Sequence, residues 1–216
     1  MFKNTMKKLI IIGARGFGRE VYDLAKACTG YGEAFVVKGF LDDNKHVLNS
    51  FNNYPPILNS VDAYVIEKND VFVCALGDVR SKEFYINIIK QKKGSFMNLI
   101  HPTAIVNDTT LVGEGVIIGK YTVVSCDGIL GDHVVIQSFC ALGHDFKVGN
   151  YSYLGAFSFI GGYSVLEEMV TLHVRASVLP HKTVKKGAIV GISSVVMNNV
   201  PEGFTVHGNP AKKITL

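Results

Sequence analysis

Residues 112–147 read VGEGVI IGKYTV VSCDGI LGDHVV IQSFCA LGHDFK when they are divided into groups of six, and each group begins with an aliphatic residue. The same register continues without interruption from Ile100 to Val196. Its members are Ile100, Val106, Val112, Ile118, Val124, Leu130, Ile136, Leu142, Val148, Leu154, Ile160, Leu166, Leu172, Val178, Val184, Val190 and Val196. A fixed period sustained over this length indicates a repeat architecture.

Two other positions of the six-residue unit are also restricted. Small residues or valines usually stand four residues after the aliphatic one, with Phe146 and Lys182 as exceptions, and glycine often follows the aliphatic residue directly, as at Gly113 and Gly143. We interpret this pattern as a triangular coil, in which the aliphatic residue fills the interior and the small residue fits a tight corner. Glycine is expected to tolerate the corner backbone.

The chain before about residue 98 has a different pattern. Short β-branched runs such as KKLIIIGA and VFVCALGD alternate with amphipathic stretches such as GREVYDLAKACTG and RSKEFYINIIKQKKG. This alternation predicts β-α-β units with a small parallel sheet. We therefore expect two domains, residues 1–98 and residues 99–216.

Composition excludes several classes of protein. Of the 216 residues, 48% are hydrophobic and 19% are charged, and no apolar run approaches the roughly 18 residues of a membrane span. The net charge of +4 is scattered, which argues against a nucleic-acid partner. The four cysteines show no CxxC spacing and the N-terminus lacks the pattern of a signal peptide, so we expect a cytoplasmic protein with reduced thiols.

The whole chain resembles the sugar acyltransferases of the NeuD and PglD type in the hexapeptide-repeat family. The resemblance implies an α/β Rossmann-like domain followed by a left-handed parallel β-helix with three hexads in each coil. It also implies acetyl-CoA as acyl donor, a nucleotide-sugar substrate and a homotrimer.

Residues eighteen apart become neighbours if such coils stack at roughly 4.8 Å. Tyr121, Phe139 and Phe157 then form an outward column, together with Thr103, Arg175 and Ser193. An exposed aromatic stripe requires a partner, which is another subunit in the resembling family. The alternative is that the N-terminal domain or the C-terminal tail covers the stripe.

The pair His144-Asp145 is the candidate catalytic site. An outward imidazole beside a carboxylate is a plausible general base, although most surface histidines have no such role. The pair matches the family's catalytic motif, and Gly162, eighteen residues later, matches the glycine whose N–H meets the acetyl carbonyl. Tyr153 stands where some members carry a second histidine near acetyl-CoA.

Other candidate binding residues come from three further segments. The loop GARGFGRE follows a predicted strand, and glycine there lets the backbone approach a phosphate. In the resembling family this loop and an FLDD motif bind the nucleotide-sugar, and the C-terminal GNPAK segment lies near CoA. The nucleotide-sugar candidates are Gly13, Arg15, Gly16, Gly18, Asp42, Asp43 and Gly77, and the CoA candidates are Gly208, Asn209, Pro210 and Lys212. The alternatives are a domain that serves only packing and a tail that only caps the open helix end.

These observations predict acetyl transfer from acetyl-CoA to the amine of a nucleotide-linked amino sugar for surface glycans. One alternative is O-acetylation of a sugar hydroxyl, as in sialic acid, and another is a non-catalytic trimeric scaffold that binds sugar nucleotides.

We expect no metal, because no two of the seven histidines are five residues apart, the spacing found in hexapeptide-fold carbonic anhydrases.

Overall fold

The computed structural model describes residues 6–214, and the chain divides into two compact units between Leu99 and Ile100. The first unit is a parallel sheet with two helices. Its elements are β1 (Lys7–Ile12), α1 (Gly16–Ala27), β2 (Phe35–Leu41), β3 (Ile57–Asn59), β4 (Asp70–Cys74), α2 (Val79–Gln91) and β5 (Ser95–Phe96). The strand order is β3-β2-β1-β4-β5 and every neighbouring pair is parallel, which confirms the predicted β-α-β units.

The order of the sheet determines where this unit can hold a ligand. The four apolar residues of β1 from Leu9 to Ile12 are buried, and so is the whole of β4, as expected for central strands of a parallel sheet. The chain winds towards β2 and β3 on one side of β1 and towards β4 and β5 on the other. Parallel sheets of this kind bind ligands at the carboxyl ends of the strands where the order reverses, here β1 and β4.

The second unit is a parallel β-helix whose strands are only two or three residues long. They are β6 (Leu99–Ile100), β7 (Ile105–Val106), β8 (Leu111–Val112), β9 (Ile117–Ile118), β10 (Val123–Val124), β11 (Ile129–Leu130), β12 (Val135–Ile136), β13 (Ala141–Leu142), β14 (Lys147–Val148), β15 (Tyr153–Leu154), β16 (Phe159–Ile160), β17 (Val165–Leu166), β18 (Thr171–Leu172), β19 (Ser177–Val178), β20 (Thr183–Val184), β21 (Ile189–Val190), β22 (Val195–Val196), β23 (Thr205–His207) and β24 (Lys212–Lys213).

The strands form three sheets, one on each side of a triangular coil. We call them face 1 (β6, β9, β12, β15, β18, β21, β23 and β24), face 2 (β7, β10, β13, β16, β19 and β22) and face 3 (β8, β11, β14, β17 and β20). Within each face the paired residues from β6 to β22 are eighteen apart, as Leu130 with Val148, so three hexads make one coil. The antiparallel pair of β23 and β24 ends face 1.

The predicted interior is confirmed. Fourteen of the seventeen aliphatic residues, from Ile118 to Val196, are buried in one core, and the first three pack against it half-buried. Small hydroxyl residues at the corners donate hydrogen bonds to carbonyl oxygens fifteen residues later, as Thr122 does to Gln137. The exceptional Phe146 is fully buried, and its ring occupies the space that a side chain at Gly128 would need.

The expected role of the glycines was wrong. At each corner the residue three positions after the aliphatic one has a positive φ. These residues are Tyr121 and every sixth residue after it through Ser193, and most of them are not glycine. The glycines that follow the aliphatic residue directly have no positive φ. They allow close stacking instead, because a Cβ atom at Gly149 would lie 2.6 Å from the amide nitrogen of Glu168 in the next coil.

We therefore expect Gly149→Ala to destabilise the β-helix. Main-chain atoms cannot move aside as a flexible side chain can. We therefore expect overpacking to lower the free energy of unfolding by about 1 to 3 kcal/mol. Thermal unfolding of the variant and the wild type measures the change. Gly16→Ala is the control, because an added Cβ there has no atom within 4 Å. An unchanged Tm for Gly149→Ala would contradict the stacking role of this glycine.

Candidate active site

His144 and Asp145 lie at the corner between faces 2 and 3, in the turn that joins β13 to β14. The φ of Asp145 is 54°, the left-handed conformation of the corner, and its carboxylate oxygen Oδ2 lies 2.8 Å from Nδ1 of His144. A carboxylate can only accept, so Nδ1 carries the proton in this pair. Both side chains are substantially exposed, at 53% and 39%. The imidazole is thus oriented with Nε2 as its free basic nitrogen.

Gly162 lies beside that free nitrogen. An added Cβ at Gly162 would lie 2.9 Å from both Nε2 and Cε1 of His144, so only glycine leaves this space open. The amide nitrogens of Gly161 and Tyr163 donate to carbonyl oxygens of Val178 and His144, whereas no acceptor among the described residues receives the amide of Gly162. The structure therefore brings the imidazole of His144 next to an unused N–H donor one coil away, as the eighteen-residue period predicted.

Tyr153 is not part of this cluster within one chain. It lies in β15 on face 1, which is opposite the corner that carries His144. Its hydroxyl oxygen accepts a hydrogen bond of 3.1 Å from Nε2 of Gln137. Its predicted position near acetyl-CoA therefore stays a prediction.

The C-terminal candidates lie three coils beyond His144 along the helix. The amide of Gly208 donates to Oγ of Ser194, and the carbonyl oxygen of Gly208 accepts from the amide of Val195. Ala211 in turn donates to the carbonyl oxygen of Val195. The tail therefore caps the edge of β22, while Asn209, Pro210 and Lys212 remain exposed.

The first unit contains a cleft of about 490 Å³ at the carboxyl ends of its strands. The lining residues are Ile12, Gly13, Arg15, Leu41, Asp42, Asp43, Asn44, Val61, Leu76, Ser81 and Tyr85. Aliphatic side chains and polar groups both contribute, which suits a ligand with an apolar ring and polar substituents. Four of the seven predicted nucleotide-sugar residues line this cleft, namely Gly13, Arg15, Asp42 and Asp43.

The two acidic residues have different roles in the cleft. Asp42 organises the glycine loop, because its Oδ2 accepts from the amide of Ala14 at 2.9 Å while its Oδ1 accepts from the amide of Asn44. Asp43 accepts a 2.6 Å hydrogen bond from the hydroxyl of Tyr85. This bond raises the pKa of Tyr85 to about 12, so its hydroxyl stays protonated.

The other predicted residues of the loop do not line the cleft. Gly18 is buried, and a Cβ there would lie 2.0 Å from the carbonyl oxygen of Gly13, so Gly18 serves the packing of α1 on the loop. Gly16 begins α1 and faces open space, and that helix has no side-chain cap and no acid in its first turn. Gly77 is exposed and directly precedes Asp78, the N-cap of α2.

Sequence reasoning missed the contribution of α2 to the cleft. Ser81 and Tyr85 both line it, and they are four residues apart, the spacing that places side chains on one face of a helix. That spacing was the available signal. The resembling family often has arginine at the position of Lys82. In this chain Lys82 is fully buried, and burial lowers its pKa to about 7.

No helix among the described residues combines the length and apolar character needed to cross a membrane. Within residues 6–214 there is also no cluster of three or more His, Cys, Asp or Glu side chains that could hold a metal ion.

The chain is similar to known proteins over both units. Residues 8–89 match the family model of the PglD N-terminal domain. Two curated relatives are UDP-3-O-acylglucosamine N-acyltransferase 2 of Rhodopseudomonas palustris, 36% identical over 40% of this chain, and serine acetyltransferase of Bacillus pumilus, 30% identical over 62%. The chain covers only 23% and 56% of the lengths of these two relatives.

Solved structures match over nearly the whole chain. A mutant of perosamine N-acetyltransferase from Caulobacter crescentus, in complex with CoA and GDP-perosamine, is 25% identical, with a TM-score of 0.86 and 98% coverage of both chains. The acetyltransferase domain of PglB from Neisseria gonorrhoeae, in complex with acetyl coenzyme A, is 26% identical, with a TM-score of 0.87 and coverage of 97% of this chain and 100% of that one.

The α/β domain followed by a left-handed β-helix places this chain among the hexapeptide-repeat acyltransferases. Its first unit matches the PglD N-terminal domain family, and its whole fold is similar to that of a sugar N-acetyltransferase, in line with the resemblance found in the sequence.

Proposed function

We propose that this protein transfers an acetyl group from acetyl-CoA to the amine of a nucleotide-linked amino sugar used in surface glycans. The observation that carries the proposal is the free Nε2 of His144 beside the unused amide of Gly162. Solved relatives with CoA and GDP-perosamine or with acetyl coenzyme A support the same donor and a sugar-amine acceptor. None of the four cysteines forms a disulfide bond in the described residues, which fits a reducing compartment such as the cytoplasm.

The geometry allows each residue a defined step. Nε2 of His144 accepts the proton from the amine as its nitrogen attacks the thioester carbonyl, and Asp145 stabilises the resulting imidazolium. The Gly162 N–H donates to the oxyanion that develops on that carbonyl. The C–S bond then breaks, and His144 returns the proton to the thiolate of CoA. The products are the amide and the free thiol.

We expect His144→Ala to lower kcat by about a hundredfold to ten-thousandfold, the range for loss of a general base, while acetyl-CoA still binds. Asp145→Asn should reduce kcat less, because the imidazole remains without its orienting charge. The assay is thiol release from acetyl-CoA with a panel of UDP-, GDP- and dTDP-linked amino sugars. With an amine acceptor, high pH should partly rescue His144→Ala, because more of the amine is then unprotonated.

The matched control is His173→Ala, since His173 is also an exposed histidine of the β-helix. It should retain wild-type kcat. Near wild-type turnover in His144→Ala would show that another residue is the general base. A wild-type protein that turns over none of the sugars would refute the proposed reaction itself.

The cleft of the first unit is the proposed site for the nucleotide part of the substrate. Asp43 and Tyr85 present polar groups next to the aliphatic side chains. The N-terminus of α1 has no side-chain cap and no acidic residue in its first turn, which favours a phosphate there. The nucleotide is thus bound by a unit that contains neither His144 nor Gly162.

We expect Gly16→Val to raise the KM for the nucleotide-sugar and to leave the KM for acetyl-CoA nearly unchanged. A Cβ atom at Gly16 would point into open space, so a side chain there should obstruct a phosphate without disturbing the fold. Glu20→Val, on the exposed surface of the same helix, is the control. Equal increases in both KM values would indicate a structural role for the loop.

We further propose that the protein is a homotrimer. Tyr121, Phe139 and Phe157 form the expected ladder at the corner between faces 1 and 2, with ring centroids 5.2 and 4.9 Å apart and exposures of 57%, 47% and 49%. The adjoining outer surface of face 2 adds Val123 and Phe159, also exposed. An apolar surface of this kind is expected to be buried against another molecule. A second copy could also bring Tyr153 and the base together, which one chain does not.

Phe139→Glu should weaken the trimer, because burial of an unpaired charge costs several kcal/mol. Light scattering of wild type and variant at micromolar concentration measures the effect. Phe84→Glu, the same change at an exposed phenylalanine of α2, should leave assembly intact. A wild-type mass near that of one chain, 23.6 kDa, would refute the trimer.

A further inference from the structure

A second ladder of rings runs along the corner that carries the proposed base. The ring of Tyr163 lies 5.1 Å from that of His144 at an interplanar angle of 87°. The ring of His181 stacks on Tyr163 at 4.9 Å and 7°. Asp145, Tyr163 and His181 are eighteen residues apart and share the left-handed corner conformation, with φ values of 54°, 58° and 61°. Nothing in the reaction proposed above makes use of Tyr163 or His181.

The main chain ties this ladder to the catalytic cluster. The amide of Tyr163 donates to the carbonyl oxygen of His144, and the amide of His181 donates to that of Gly162, both at 3.0 Å. The Tyr163 ring therefore projects from a backbone that is bonded directly to the residue whose ring it contacts. Any displacement of this corner would move the base and the N–H donor together.

The imidazole of His144 requires such support. It is 53% exposed, and within residues 6–214 its ring is hydrogen-bonded only to a carboxylate that is itself 39% exposed. One hydrogen bond fixes the position of Nδ1 but leaves the ring able to tilt about it. The perpendicular ring of Tyr163 limits that tilt, in the edge-to-face geometry that aromatic pairs prefer. Tyr163 is 50% exposed, and its own rotamer is restrained by the stacked ring of His181.

We propose that Tyr163, supported by His181, is a positioning residue that fixes the ring plane of His144 and keeps Nε2 beside Gly162. The inference rests on the proposed function, since it assigns Nε2 the role of the base. Under this proposal Tyr163 acts through His144 and does not affect the binding of acetyl-CoA. The aromatic ring of Tyr163 positions the imidazole, and its hydroxyl is dispensable.

The first test is kinetic, with the full-length protein. Tyr163→Leu should lower kcat about twofold to tenfold, the rate equivalent of one aromatic pair, with the KM for acetyl-CoA unchanged. Tyr163→Phe should restore wild-type kcat, and His181→Leu should show a smaller loss than Tyr163→Leu. Met169→Leu is the matched control, because Met169 occupies the same left-handed position at the next corner. Loss of activity in Tyr163→Phe equal to that in Tyr163→Leu would overturn the proposal.

The second test needs no activity. Nuclear Overhauser effects from the ring proton on Cε1 of His144 to the Hα protons of Gly162, assigned with His144→Gln, report the ring plane, because Cε1 lies against the open side of Gly162. These effects should be strong in the wild type and weaker in Tyr163→Leu, while the tautomer set by Asp145 stays the same. Equal effects in both proteins would overturn the positioning role. A wild type without transferase activity would refute the proposed function alone, because this comparison would still decide on Tyr163.

Discussion

The stacking of one coil on the next is the constraint on which the β-helix depends. Main-chain amides donate to carbonyl oxygens in the following coil, as Ile129 does to Phe146, and this bonding holds residues eighteen apart in register along each face. The aliphatic interior, the glycines that admit a close neighbour and both ring ladders all follow from that register. The proximity of His144 to Gly162 is one more consequence, because these two residues are eighteen apart.

Features that depend only on this period could be predicted from sequence. The interior residues, the aromatic column at Phe139 and the proximity of His144 to Gly162 are of this kind. The role of the glycines that follow the aliphatic residues was not predictable. The period indicates which residues are neighbours, but it does not indicate which φ each residue adopts. Left-handed φ values fall on residues such as Tyr121 and Asp145, which are restrained by the bonding to adjacent coils and need no glycine.

The α/β unit was less predictable because its cleft is assembled from separate loops and one helix face. The glycine loop was predicted because it follows a predicted strand directly, and the acidic pair was predicted from the resemblance of its FLDD motif. Both lie at the carboxyl ends of strands, where such sheets bind ligands. Ser81 and Tyr85 were missed because their direction depends on how α2 packs against β4. The same packing leaves Lys82, between them, buried with a lowered pKa while its neighbours face the cleft.

The two ladders show how one geometry supports different chemistry at different corners. At the corner between faces 1 and 2 the stacked rings are Tyr121, Phe139 and Phe157, which are well suited to association. At the corner between faces 2 and 3 the ladder contains two imidazoles: His181 stacks on Tyr163, and Tyr163 meets the ring of His144 edge-on, the contact to which we assign the positioning of that imidazole. A solenoid can therefore orient a base on its surface without burying it, because neighbouring coils supply the restraint that a closed active site obtains from surrounding walls.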